Sequence, residues 1–271
     1  TQVIISGNVD DFIIILNRFD MYTEYDNNVE DTDFVTGKEV TADKNIAVIG
    51  GKMCAMNYFD DVDDYCISSV MSSMRPVERY GQQYILPPLG TGEEGGYSMS
   101  VMAAEDETLI SYEGQTLQLD KGKNATLYFP DATEVTTIQC SKPCFVVEFP
   151  VVHRSMQGGL FQLDIVPTEA FYQEATFSVF NMTSPLAAYI TLVVDGEPAE
   201  EGDDIYLDGN SLASEEWHTK GGFSYLKMNI GESGVHRVQS DNKRFAAYHY
   251  GIVQRDYFEM CGAYGFSMKG N

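Results

Sequence analysis

Two cysteines, Cys54 and Cys66, bracket the stretch CAMNYFDDVDDYC, which also carries Asp60, Asp61, Asp63 and Asp64. Thiols and carboxylates this close offer three chemistries: a disulfide closing the loop, a thiolate metal centre, or a calcium site of hard oxygen donors. Zinc asks for four Cys or His ligands, and neither type occurs within the loop. A redox pair would be spaced CxxC, which these are not. A disulfide is the favoured reading and would stabilise by about 3 kcal/mol in the chain-entropy model; free or metal-bound thiols are the alternatives. For calcium, the aspartates lack the EF-hand's glycine at the sixth position and glutamate at the twelfth. A solvated acidic loop is the plainer reading of Asp60, Asp61, Asp63 and Asp64. A calcium shell would need help from backbone carbonyls or from EEGDD, Glu200–Asp204.

Cys140 and Cys144 flank SKP, read as a tight turn with one cysteine on each arm. They can be bridged if their Cα atoms come within about 4.4–6.8 Å. Cys261 is left over, either as a free thiol or for an intermolecular bond. The histidines, His153, His218, His236 and His249, fall in no HExxH pattern, and no GxSxG elbow exists. GTGEEG, Gly90–Gly95, has the spacing of a dinucleotide loop, but it follows LPPL rather than a strand. Glu93 and Glu94 would also repel a pyrophosphate. It reads as a connector. Among 41 acidic residues no pair is singled out for glycoside hydrolysis. The expectation is a protein that is not an enzyme, with no catalytic residue and no cofactor.

The net charge of −24 and pI near 4.3 argue against a nucleic-acid partner, which needs a basic face. No apolar run reaches the length of a membrane span; FIIIL, Phe12–Leu16, is the longest in the N-terminal part. NAT at Asn124 and NMT at Asn181 are acceptors for N-glycans, and with the paired cysteines they point to an extracellular, secreted protein. Thr1 carries neither an initiator Met nor a signal-peptide pattern, so a trimmed piece is expected.

The elements that must position these residues are strands. Seventeen Tyr, fifteen Phe and 24 Gly favour strands and turns. A segment recurs: VTADKNIAVIGG (Val40–Gly51), IQCSKPCFVVEF (Ile138–Phe149) and VQSDNKRFAAYHYG (Val238–Gly251), the third with one insertion. Each reads as a strand end, a polar turn with Lys, and an apolar strand. VIISG, ISYEG and TLVVDG, closed by Gly7, Gly114 and Gly196, form a second shared element. PVERYGQQY (Pro76–Tyr84) echoes PTEAFYQEA (Pro167–Ala175). The expected fold is all-β: three repeated antiparallel, sandwich-like units, 1–89, 97–174 and 175–271, with little helix beyond a turn at Val70–Met74. Units two and three would each open on an extra strand, YSMSVMAA (Tyr97–Ala104) and ATFSVFNM (Ala175–Met182). The counterpart in unit one would lie upstream of Thr1 or come from another chain, because an open edge is a template for pairing.

TGKEVTADKNIAVIGGKMC, a second cysteine, RPVERYGQQYILPPL, VMAAEDETLISYEGQTLQL and GGFSYLKMNIGESGVHRVQSDNKRFAAYHYG together resemble the N-terminal domain of IgGFc-binding proteins, in order and from Thr1 to about Phe266. The resemblance implies an extracellular, non-enzymatic β module of mucus, matrix and adhesive proteins. It also implies a bond between Cys54 and Cys66. The family's Trp is Tyr80 here, and CISSVMSSM replaces its acidic run, so antibody binding is not carried over. The function expected is structural or adhesive, through contact with extracellular proteins or glycoproteins, with self-assembly into a filament or polymer as one form. The alternative is a receptor domain for glycans or immunoglobulin-like partners. Tyr25–Phe34 and Glu197–Trp217 are the candidate contact loops. Trp217 is expected to pack on the core.

Overall fold

The computed structural model describes residues 1–7, 11–25, 36–55, 68–89, 97–129, 135–150, 161–179, 186–198, 204–231, 233–254 and 261–268. They form 21 strands and two short 3-10 turns, in antiparallel sheets throughout. The all-β expectation is met. Among the described residues no helix is long and apolar enough to cross a membrane.

Three sets of strands follow one another. The first has β1 (Gln2–Ser6), β2 (Phe12–Ile15), β3 (Glu39–Ala42), β4 (Ile49–Ala55) and β5 (Ser68–Ser73). The second has β6 (Gly81–Leu86), β7 (Tyr97–Ala103), β8 (Thr108–Tyr112), β9 (Gln115–Leu119), β10 (Asn124–Phe129), β11 (Thr136–Pro150) and β12 (Leu163–Asp164). The third has β13 (Glu174–Val179), β14 (Leu186–Asp195), β15 (Ile205–Leu207), β16 (Asn210–Ser211), β17 (His218–Lys220), β18 (Phe223–Asn229), β19 (Gly234–Ser240), β20 (Phe245–Gln254) and β21 (Cys261–Ser267).

The recurrent Lys segment corrects the expected hairpin. β11 runs as one 15-residue strand through SKP, with its register shifted between Gln139 and Cys144. Its first half pairs with β6 and β8, its second with β7 and β12. Such a bulge bends a strand and re-aims its hydrogen bonds. The corner is satisfied locally: Leu109 N–H donates to Ser141 Oγ at 2.8 Å, Gln82 Nε2 to Ser141 O at 3.0 Å, and Lys142 Nζ to Asp106 O at 2.6 Å. At the third copy the chain likewise changes sheets, since β19 pairs with β13 and β15 while β20 pairs with β14 and β21.

Pairing makes the second and third sets alike strand for strand. β6, β8 and β9 lie about the first half of β11 as β13, β15 and β16 lie about β19. β10, β7 and β12 lie about its second half as β18, β14 and β21 lie about β20. The strand at Ala175 therefore corresponds to β6, not to Tyr97–Ala104 as the sequence suggested, and β6 bonds to the second set rather than the first. The hairpin matching ISYEG is IYLDG, Ile205–Gly209. Both turns place an acid and a glycine at positive φ: Glu113 at 44° and Gly114 at 74°, Asp208 at 51° and Gly209 at 81°. Glu197–Trp217 accordingly includes a small hairpin rather than being loop throughout. Trp217 packs on the core there, its Nε1 donating to Leu212 O at 3.0 Å.

The echoed Pro segments hold 3-10 turns at Val77–Arg79 and Thr168–Ala170, each leading into β6 or β13. The helical turn expected at Val70–Met74 is strand instead. Pairing with β4 at Gly51↔Met71 and Lys52↔Val70 overrides the weak local preference, and Pro76 begins a turn rather than ending one.

Two apolar clusters hold the sheets. One, within the third set, joins Phe177, Ile190, Leu192, Val238 and Phe245. The other joins Tyr84, Leu86, Val101, Ile138 and Val146 of the second set, with Phe161, Leu163 and Ile165, to Val193, Tyr225, Tyr248 and Tyr250 on the opposite face of the β14–β20 sheet. Each fully buried side chain of this size contributes about 1.5–3 kcal/mol. The second and third sets thus share one core.

Candidate protein-contact surface and the predicted site residues

Alternation along β2 leaves Ile13 and Ile15 outward and exposed. The chain then turns at Asn17, whose backbone N–H and Nδ2 donate to Asp20 Oδ2 at 2.8 and 3.1 Å. Inside that turn Phe19 sits at φ 70°, in the left-handed region that bulky residues avoid, and it is 90 % exposed. Such strain is held at functional positions more often than elsewhere. The Arg18 guanidinium stands over the Phe19 ring, 4.7 Å from its centroid. Met21, 88 % exposed, and Tyr25 are further exposed side chains of the same segment, while Tyr22 leans on Phe12 at 6.0 Å between ring centroids. An ion pair between Lys38 and Glu24 ties the segment to the start of β3. Aromatic, Met and Arg side chains are the types enriched in protein interfaces.

Sequence reasoning placed the first contact loop at Tyr25–Phe34. Only Tyr25 of it lies among the described residues, and it is exposed. Ile13, Ile15, Phe19 and Met21 were missed. The signal was the run NRFDMYTEY, which holds three aromatics and a Met without strand or helix period.

The predicted cysteine sites fare unevenly. Cys66, Asp60, Asp61, Asp63, Asp64 and Asn181 lie outside the described residues, as do His153 and GTGEEG. Cys54 falls in β4 and Cys261 in β21, with their side chains outside the description. Cys140 and Cys144 are buried free thiols on either side of the β11 corner. A hydrogen bond to Cys144, with burial second, pushes the Cys140 thiol far up. Asn124 opens β10, half-buried, with Nδ2 3.4 Å from Ser100 Oγ.

Three buried polar groups stand apart. Both carboxylate oxygens of Glu148, on β11, lack a hydrogen-bond partner, and burial raises its pKa well above the usual range. His249, on β20, faces Phe177, which stacks in turn on His236; the ring centroids lie 5.0 and 5.3 Å apart. Burial, with the neighbouring His236, lowers His249 to about 4. His236 Nδ1 meets Asp208 Oδ2 at 2.7 Å, and Arg237 N–H donates to Asp208 Oδ1 at 2.8 Å. Burial opposes ionisation of Asp208, yet these bonds hold it below its ordinary range. This pair ties the Asp208 turn to β19.

A multi-sheet β protein that exposes Ile13, Ile15, Phe19, Met21 and Tyr25 presents side chains of the kinds found in protein interfaces. The chain matches the family described as IgGFc binding protein over residues 2–251 and belongs to that family. The family is one of extracellular protein-binding modules rather than enzymes. Comparison with curated proteins and with solved structures returned no match.

Proposed function

We propose that this chain is an extracellular structural or adhesive module acting by protein–protein contact, part of a larger secreted glycoprotein or of a mucus or matrix polymer. It carries out no catalysis. The observation that supports this reading is the patch of Ile13, Ile15, Phe19, Met21 and Tyr25, an apolar and aromatic surface held out by a strained turn. The three strand sets act in this reading as three repeat units of one module, glycosylated at Asn124 and Asn181. A Cys54–Cys66 disulfide staples it; Cys140 and Cys144, thiols in this structure, stand on either side of the β11 corner to close a second bond on oxidation, and Cys261 is free for an intermolecular bond.

The test is association measured by analytical ultracentrifugation, alone and against immunoglobulin and mucin-type glycoprotein. We expect association that is lost in the combined variant Phe19→Ser, Met21→Ser and Tyr25→Ser, with the fold intact by circular dichroism. A chain that stays monomeric and binds none of these proteins overturns the reading. Binding of immunoglobulin alone would move it to the receptor alternative.

A further inference from the structure

Two buried titratable side chains, Glu148 and His249, occupy one and the same place in their strand sets. With the copies aligned on Lys142 and Lys243, Glu148 falls opposite His249. The pairing agrees. Glu148 lies between Met99 of β7 and Leu163 of β12, and His249 between Ile190 of β14 and Phe266 of β21. Ahead of the corner Thr136 matches His236, and their partners on β6 and β13 are Leu86 and Phe177. The third set thus has Phe177, His236 and His249 where the second has Leu86, Thr136 and Glu148. None of the six is more than 8 % exposed.

This exchange inverts the acid–base chemistry. Glu148 gains charge by losing a proton, His249 by taking one up, and either charge is costly in an apolar layer. Tyr250 of β20 is the titratable neighbour of Glu148, and its hydroxyl lies 3.3 Å from Thr191 Oγ1. Around His249, β14 brings Ile190 and β13 brings Phe177, and His236 of β19 stacks on the same Phe177 ring. His236 Nδ1 in turn meets Asp208 Oδ2 from the β15–β16 turn. The outer face of β13 and β19 carries the Arg237–Glu174 ion pair. A proton arriving at His249 therefore enters a layer that already holds a second imidazole.

Acid acts on the two sets in opposite senses. As pH falls below 6.5, an open third set takes up a proton at His249 that the closed one refuses down to about 4. Over the same range the second set gains, because the cost of burying Glu148 in place of a hydrated carboxylate shrinks. Topology picks the part that yields. The sheet β13-β19-β15-β16 covers the Phe177 cluster with one face and turns Thr176, Ser178 and Arg237 to solvent on the other. The β14–β20 sheet behind it is held on both faces, by that cluster and by the core shared with the second set.

We propose that the β13-β19-β15-β16 sheet is an acid-released flap, which lifts from Ile190 and Leu192 as pH falls towards 4.5 while the second strand set stays closed. The inference goes beyond the protein-contact reading and does not depend on the Phe19 surface.

The test is hydrogen exchange of the full chain at pH 7.5 and 4.5, corrected for the intrinsic pH dependence of amide exchange. Protection of the amides paired between β13 and β19 should fall by at least about tenfold, and that between β7 and β11 should hold or rise. His249→Gln should keep the flap closed at pH 4.5. Asp208→Asn should raise the pH of release, because it removes the carboxylate that accepts a charged His236. Asp208 is exposed and at a positive φ that Asn tolerates, so this variant keeps the proposal falsifiable even where His249→Gln does not fold. Equal loss of protection in both strand sets, no loss in either, or an undiminished loss in His249→Gln overturns the proposal. A release pH that Asp208→Asn leaves unchanged does the same.

Discussion

Gly37 and Gly122 meet backbone to backbone where the first strand set touches the second. A Cβ on Gly37 would lie 2.2 Å from the Gly122 carbonyl oxygen, and one on Gly122 3.0 Å from that of Gly37. Both have positive φ, 80° and 72°. Beside them Lys121 Nζ bonds Glu39 Oε2 at 2.9 Å, but that pair is solvated and contributes little. The close approach is the specific part of the contact. Gly37→Ala should cost at least about 1 kcal/mol from the left-handed backbone, and more from the clash. Gly114→Ala is the control, with φ 74° and nothing within 4 Å of the added carbon. Chemical denaturation of both variants measures the difference; equal losses would mean that the contact is loose.

Glu148 predicts a gain. Its folded pKa is raised, so its contribution to stability is fully present below its unfolded pKa and is lost as pH rises through the folded value. At neutral pH it is a cost. Glu148→Gln should raise the urea midpoint at pH 7.5, with the gain shrinking as pH falls towards 4.5, where the unfolded carboxyl is already half protonated and the folded one neutral.

His249 acts in the opposite direction over an overlapping range. Above pH 6.5 it is neutral in both states. As pH falls from 6.5 to about 4 the unfolded chain takes up a proton that the folded one refuses, and stability falls. The full effect is about 3 kcal/mol. A His249→Gln variant should show a flatter decline between pH 6.5 and 4.5 in the same titration, whatever its stability at pH 7.5. A decline as steep as that of the parent would assign the acid sensitivity elsewhere.

The cysteine proposals are read by mass spectrometry of the native protein without reduction. Two disulfides lower the mass by about 4 Da relative to the reduced chain, with peptides joining Cys54 to Cys66 and Cys140 to Cys144. If Cys140 and Cys144 are instead thiols, their burial and the raised thiol of Cys140 should make them slow to alkylate until the chain unfolds.

Much of this was legible in the residues. The Lys-centred repeat and the PVERYGQQY and PTEAFYQEA echo each mark the same structural event wherever they occur, because a sheet-changing corner and a Pro-led 3-10 turn are local features with local signatures. The pairing of strands was harder to read. Tyr97–Ala104 and Ala175–Met182 alternate alike, yet β7 lies between β10 and β11 while β13 lies beside β19. Alternation reports which face is buried and not which strand is the neighbour. SKP looked like a hairpin turn for a similar reason, since a bulge and a turn draw on the same polar residues. At the contact surface, Phe19 owes its position to a positive φ that no composition rule assigns to phenylalanine.

The unbroken course of β11 has a mechanical consequence. A turn between two strands can be peeled open one hydrogen bond at a time, but a single rod threaded through two sheets loads them together. Drawing β11 along its axis past its neighbours shears the bonds to β6 and β8 and those to β7 and β12 together. The second strand set should therefore yield to stretching as one element, late and all at once, which is the behaviour a load-bearing tether requires.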